Sequence, residues 1–149
     1  MVHALQTVHA LLAADGILVD IHPSRVPAPV EVHASGRIAI AGVVVEDEDG
    51  IEYDRADRAL DEVVRLGLFG KERHETFEFV RYADTLDELL QNLAETWEGA
   101  HIPEDTRARA RTQMEAAGRG ACVAVRETVR ITRLRKRDIP APGGSYPGL

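Results

Sequence analysis

The sequence predicts an α/β domain with a mixed sheet of about five strands and helices packed on it. Two observations carry this prediction: apolar residues at helical spacing alternate along the chain with short apolar runs, and the last long segment alternates residue by residue. With 149 residues, of which 44% are hydrophobic, the chain is long enough to bury a real core. We expect residues 1–137 to form a single domain and the Pro/Gly-rich residues 138–149 to form a flexible tail.

The N-terminal segment predicts a helix followed by a buried strand. Residues 2–14 place apolar side chains on one helical stripe, and Gly16 is positioned as a C-terminal cap; the stripe consists of Leu5, Val8, Leu11 and Leu12. Residues 17–21 read ILVDI, which is nearly all apolar. Such runs are typical of strands in parallel or mixed α/β sheets, so we expect this strand to be covered on both faces.

The middle of the chain predicts a hairpin, a helix and a strand. Residues 30–46 alternate around a Ser35-Gly36 turn, a helix is expected from Asp54 to about Phe69, and ETFEFVRYA forms the next strand. The acidic residues between 46 and 54 lack the spacing and the closing glutamate of an EF-hand, so we interpret them as a solvated turn.

Two helices and a long strand are expected after residue 83. Thr85 and Glu88 have the spacing of a capping box, and the helix they begin carries an apolar stripe that ends at Trp97. Pro103 opens a second helix with little apolar surface. The final strand, ACVAVRETVRITRLR, alternates for most of its length, and Glu127 interrupts its apolar face, which predicts a bulge or bend there.

This order of elements resembles the C-terminal half of a class I S-adenosylmethionine-dependent methyltransferase, a Rossmann-like fold. LLAADGILVDI is similar to the family's fifth-strand unit, FEFVRYADTLDELLQNLAETWEGAHIP to its sixth strand and inserted helices, and VRETVRITRLRKR to its seventh, antiparallel strand. The resemblance covers the chain to about residue 137. It implies that the strand at 17–21 pairs with the final strand, which in turn pairs antiparallel with residues 76–82.

The half of the fold that binds the cofactor has no counterpart in this sequence. The family holds S-adenosylmethionine with a glycine-rich turn after its first strand and an acidic residue at the end of its second, and no GxGxG occurs here. We therefore expect no cofactor on the isolated chain, and S-adenosylmethionine only if a partner supplies the missing half. The resemblance also leaves the outer edge of strand 17–21 open, which predicts a homodimer or a complex with a complementary chain through that edge.

Asp20 and His22 are the candidate catalytic residues. They lie two apart at the carboxyl end of a strand, so their side chains point to one face, where a carboxylate that orients an imidazole is a standard general base. The pair could equally bond a neighbouring helix or the following loop. His33 is a weaker candidate for substrate binding; a metal site of Asp20, His22 and His33 has no spacing to enforce it, and no metal is predicted.

Trp97 and His101 are the other weak candidates for substrate binding. Trp97 is the only tryptophan; it is expected to pack in the core or at an interface, but it sits near Gly99 and His101, where the chain could fold over a pocket. The final strand and its exit are basic, which is typical either of a patch for a phosphate-bearing or acidic partner or of a solvated strand face that deters aggregation.

The net charge, the cysteine count and the length of the apolar runs exclude several classes of protein. A formal net charge of −7 makes nucleic-acid binding unlikely, and the single cysteine, Cys122, cannot form an internal disulfide. No apolar run is long enough to span a membrane, and no secretory signal is present, so a cytoplasmic location is expected.

Two functions are therefore expected. The first is a methyltransferase-like binding or regulatory module of unknown ligand, which is not catalytic alone. The alternative is a small-molecule methyltransferase, or a subunit of a split one, that uses the Asp20-His22 rim to bind the methyl acceptor.

Overall fold

The computed structural model describes residues 1–47 and 51–138, and over these it is an α/β structure with four helices and seven strands. The helices are α1 (Val2–Leu11), α2 (Ile51–Arg65), α3 (Leu86–Thr96) and α4 (Glu104–Ala117). The strands are β1 (Ile17–Pro23), β2 (Pro29–Ala34), β3 (Arg37–Val43), β4 (Val45–Glu46), β5 (Phe69–Ala83), β6 (Ala100–His101) and β7 (Cys122–Lys136).

Five strands form the main sheet, and the long strand β7 organises it. In the order β1-β7-β2-β3, β7 pairs with both β1 and β2, and β5 pairs with β7 as well. Backbone hydrogen bonds run from Lys136 N to Gly16 O and from Ser24 N to Thr128 O, so β1 and β7 are antiparallel. The predicted pairing of strand 17–21 with the final strand is confirmed, and β5, which contains residues 76–82, also pairs with the final strand. The five-strand count is also as predicted, and the pairings are mostly antiparallel.

The predicted hairpin is present as β2 and β3. Ala34 pairs with Arg37 across a two-residue turn of Ser35 and Gly36, whose φ angles of 49° and 73° are both left-handed. Two consecutive left-handed residues have the twist that matches antiparallel strands, and glycine adopts the second without strain. A second sheet that the sequence analysis did not predict pairs β4 antiparallel with β6.

The described residues form two compact units. The first consists of residues 1–21, 54–75 and 131–138, and the second of residues 22–47, 51–53 and 76–130. The long strands β5 and β7 contribute one stretch to each unit. Residues 139–149, which include nearly all of the predicted tail, lie outside the described part of the chain.

The first unit has a small apolar core of α2 and strand residues, on which α1 packs. Its buried members are Leu60, Val63, Leu68, Phe69 and Leu134. Phe69 is fully buried, and its ring meets the His9 imidazole edge-on at 5.2 Å. The predicted α1 stripe is partly wrong: Leu5 and Leu12, seven residues apart, share the face that packs on this core, but Leu11 is exposed because it lies about 100° around the helix from Leu12.

The second unit contains the larger core, formed by the hairpin, β7, α3 and α4. Its buried members are Ala28, Val30, Val32, Ala41, Val44, Ala83, Leu86, Leu89, Leu93, Ile102, Ala110, Val123 and Val125. The predicted capping box of α3 is present, since Glu88 N donates to Thr85 Oγ1 and Glu88 Oε2 accepts from Asp84 N. The apolar stripe that follows faces the core, with Trp97 packed at its margin.

Two predictions about the strands are wrong. Strand β1 is not covered on both faces, because Ile17, Val19 and Ile21 are 40%, 51% and 58% exposed. Strand β5 begins at Phe69 rather than near residue 75, because the segment that follows Gly67 is extended and no longer belongs to the helix. None of the described helices is long and apolar enough to cross a bilayer.

Candidate functional site

The structure places the predicted site residues in three different settings. Asp20 and His22 are both half-buried on β1, and each has interactions with other groups. His33 lies on β2, where its Nε2 is 2.7 Å from Glu31 Oε2 and its ring packs edge-on against Tyr82. Trp97 lines a cavity, and His101 lies on β6, with Nδ1 3.6 Å from Asp47 Oδ1.

A metal site is not formed by these residues. Over residues 1–47 and 51–138, no group of three or more histidine, cysteine, aspartate or glutamate side chains is arranged to hold a metal ion. His33 is instead committed to Glu31, which also accepts two hydrogen bonds from Arg126.

The candidate site is a cavity of about 550 Å³ in the second unit. This volume is within the range of about 300–1,000 Å³ that is typical of small-molecule sites. The wall combines four carboxylates with two aromatic rings, and the described lining residues include neither arginine nor lysine. They are Glu46, Asp47, Glu52, Tyr53, Trp97, Glu98 and Gly99.

The short sheet of β4 and β6 builds this wall. Val45 pairs with His101 and Glu46 with Ala100, and Asp47 N donates to Gly99 O. These bonds hold the acidic segment that follows β3 against the segment that follows α3. Gly99 has a φ of 76°, a left-handed conformation that glycine adopts without strain.

A second cavity, of about 320 Å³, shares Glu46 and Tyr53 with the first. Most of its remaining wall is apolar, and Ser24 and Arg25 are its other polar members; the apolar side is formed by Val26, Pro27, Ala28, Val43, Val44 and Val45. A third void of about 10 Å³, about the room of one water molecule, shares Glu46 and Trp97 with the first cavity. Glu46 therefore borders all three spaces.

A hydrogen bond between two side chains fixes the common wall. The Tyr53 hydroxyl donates to Glu46 Oε2 at 3.1 Å, and both residues line the first cavity together with Trp97. Burial, reinforced by the negative charge of Glu46, raises the pKa of Tyr53 to about 12. Tyr53 consequently stays a neutral donor at physiological pH and holds the Glu46 carboxylate in place.

Glu127 is a buried carboxylate at the small void. Its side chain is 8% exposed, and the Arg81 Nε atom lies 3.0 Å from its Oε1. The two atoms are not aligned for a hydrogen bond, and neither forms one with any other described residue. Burial raises the pKa of Glu127 above its ordinary range despite the opposing charge of Arg81, and Glu46 adds to the increase. The ion pair therefore compensates Glu127 incompletely.

Arg81 also packs against the aromatic side of the site. Its guanidinium carbon lies 5.7 Å from the centre of the Trp97 ring and 5.5 Å from that of Phe79. Both distances are within the range of a cation–π contact, so the Trp97 ring already accepts one cation in this structure. A bulge was predicted at Glu127 because a glutamate interrupts the apolar face of β7. In the structure Glu127 is buried beside Arg81 and faces inward like Val123 and Val125, so its position in β7 requires no bulge.

The basic residues of β7 are largely paired with carboxylates of neighbouring strands. Arg126 makes a two-pronged contact with Glu31 at 2.9 and 3.0 Å and reaches Glu78 at 2.6 Å, while Arg133 and Arg135 both contact Glu72. The hydrogen bonds from Arg126 hold the pKa of Glu31 below its ordinary value against the effect of burial. This pairing favours the interpretation of the basic strand as a structural face over that of an anion-binding patch.

Of the residues that form the cavity, only Trp97 was identified from the sequence. Glu46 and Tyr53 were missed because they are seven residues apart on a strand and a helix, and their spacing follows no binding motif. The acidic composition of residues 46–54 is visible in the sequence, but it indicated only a solvated turn. No protein family model, no curated protein and no solved structure matches this chain.

Proposed function

We propose that the chain is a methyltransferase-like binding module, which holds a small molecule in the cavity of Glu46, Tyr53 and Trp97 and is not catalytic alone. The observation that carries the proposal is the cavity itself, whose wall is fixed by hydrogen bonds and is backed by the incompletely compensated carboxylate of Glu127. Buried charge is costly for a protein to retain, and such residues concentrate at functional sites.

The strand pairings support the methyltransferase-like part of the proposal. In the resemblance, β1, β5 and β7 are the fifth, sixth and seventh strands, and β7 pairs with both of the others. The chain lacks a glycine-rich turn of the GxGxG kind, so S-adenosylmethionine would bind only with a second chain that supplies one.

Titration calorimetry with S-adenosylmethionine tests this proposal on the isolated chain. We expect no heat of binding. Measurable binding would contradict the proposal of a non-catalytic module, and it would favour the alternative of a methyltransferase whose acceptor site is the rim of Asp20 and His22. The variants D20N and H22Q would then be the first to assay.

We also propose that β1 is the interface with a second copy of the chain. Among the described residues β1 pairs only with β7, so it is an edge strand, and Ile17, Val19 and Ile21 expose apolar surface beside that edge. Natural sheets protect such edges with charge, which β1 carries only at Asp20.

Light scattering is expected to give the mass of a dimer. V19K should produce a monomer, because lysine is a residue that blocks strand pairing at edges, whereas I38K, on the exposed hairpin strand β3, should leave the mass unchanged. A wild-type monomer at all concentrations would contradict the proposed interface.

A further inference from the structure

We propose that the cavity takes an amphipathic organic amine, with its ammonium group among the carboxylates of the outer cavity and its apolar body in the neighbouring one. This inference rests on the proposed binding function and specifies the chemical class of the ligand.

The outer cavity attracts cations. Glu46, Asp47, Glu52 and Glu98 line it, and its described wall carries no arginine or lysine. Arg81 adds no net charge beside it, since it is matched by Glu127. Carboxylates that converge on a concave surface with low-dielectric walls focus their field into it, which raises the local concentration of cations.

The second cavity suits a hydrocarbon group. Its wall is mostly valine, proline and alanine, and its volume of about 320 Å³ exceeds that of a short alkyl chain. Because Glu46 and Tyr53 border both spaces, a molecule that fills both has its charged end and its apolar end on opposite sides of these two residues. An inorganic cation would leave the apolar space without an occupant.

Glu127 is the independent indication that a donor belongs at this point. Its side chain is more than nine-tenths buried, its Oε1 atom accepts no hydrogen bond from any described residue, and it borders the small void together with Glu46 and Trp97. An alkylammonium has three N–H donors, which is more than Glu46 alone can satisfy. An N–H group of a ligand bound at Glu46 would donate to Glu127 Oε1, either directly or through one water molecule in the small void. It would supply the hydrogen bond that Arg81 does not make.

The aromatic wall agrees with a cationic ligand. Trp97 lines the outer cavity and already has the guanidinium of Arg81 at a cation–π distance, so its ring attracts a positive charge in this structure.

The test is a fluorescence titration with three probes of equal chain length: hexylamine, hexanol and hexanoate. Trp97 is the only tryptophan, so its emission reports on this cavity alone. We expect hexylamine to change the emission in a saturable way, hexanol to bind about ten-fold more weakly, and hexanoate to give no saturable change. Thermal stabilisation by each probe provides a second readout.

Variants assign the effect to the carboxylates. E46Q should weaken hexylamine about ten-fold and leave hexanol unchanged, and the control E115Q, which removes one charge from an exposed position of α4 outside the cavity, should change neither. If E46Q fails to fold, the double variant E52Q/E98Q at exposed positions of the wall replaces it.

The outcomes separate the two proposals. Equal or tighter binding of hexanol or hexanoate would overturn the inference about an amine and leave the binding function in place. If none of the three probes changes either the emission or the melting temperature, the proposed binding function fails as well. Hexylamine binding that E46Q does not weaken would also overturn the inference.

Discussion

Quenching of Trp97 fluorescence by small ions reports the electrostatic potential of the cavity, and it requires no ligand. Caesium and iodide both quench tryptophan fluorescence on collision, and they carry opposite charges. The four lining carboxylates should therefore make caesium the better quencher of Trp97, since the charges of Arg81 and Glu127 cancel nearby. The perturbation is the exchange of one quencher ion for the other.

The size of the effect follows from the number of charges. In water, a unit charge about 10 Å away changes the energy of a monovalent ion by about 0.4 kcal/mol. Four carboxylates give about 1.7 kcal/mol, of which screening over one Debye length in about 0.1 M salt leaves about 0.6 kcal/mol. Because iodide is repelled as much as caesium is attracted, the ratio of the two quenching constants should be about 8.

The assay is a pair of quenching titrations, each normalised to N-acetyltryptophanamide. E52Q removes one of the four charges and should lower the ratio to about 5, while E115Q should leave it unchanged. A wild-type ratio close to 1, or one that E52Q and E115Q lower equally, would show that the field at Trp97 does not come from the carboxylates of the cavity wall.

Two further predictions concern the stability of the fold. F69A removes a ring that is fully buried and should lower the free energy of unfolding by about 3–5 kcal/mol in urea titrations, whereas F77A, at a position 43% exposed on the same strand, should cost much less; equal losses would contradict the assigned core. The pKa of Glu31 is depressed in the folded state by Arg126, so its contribution to stability is complete above its ordinary pKa of 4.5 and is lost as the pH falls through the lower, folded value. Unfolding midpoints at a series of acidic pH values should therefore fall less steeply in E31Q than in wild type, and identical slopes would show that the ion pair makes no such contribution.

Local features of the fold could be predicted from the sequence because their causes are local. The cap of α3 needs only Thr85 and Glu88, and the hairpin turn needs only Ser35 and Gly36, so residues within four positions of each other determine them. The pairing of the first and last strands was predicted from the resemblance, and the observed sheet contains it.

The exposure of β1 and the extent of β5 could not be predicted, because both depend on what packs against the strand. An apolar run such as Ile17–Ile21 indicates a strand, but its composition does not specify how many of its faces are covered. Strand β5 begins at Phe69, which is buried with α2 residues in the core of the first unit, and this burial is a tertiary contact.

The candidate site was the least predictable feature. Trp97 drew attention as a lone tryptophan, but Tyr53 and Glu46, which line the same cavity, lie more than forty positions earlier in the chain. The contact between Glu127 and Arg81 likewise joins two strands that are distant in the sequence, so no sequence motif indicates it. A site that is assembled from tertiary contacts alone leaves no motif for sequence analysis to find.

The most direct test of the account is a nuclear magnetic resonance titration of the ¹⁵N-labelled chain with hexylamine. We predict that the largest saturable shifts fall on the Trp97 indole N–H and on the backbone amides of Asp47, Tyr53 and Gly99, all of which belong to the cavity wall. Shifts spread evenly over the chain, or concentrated on the exposed hairpin around Ile38, would contradict the claim that this cavity is the binding site.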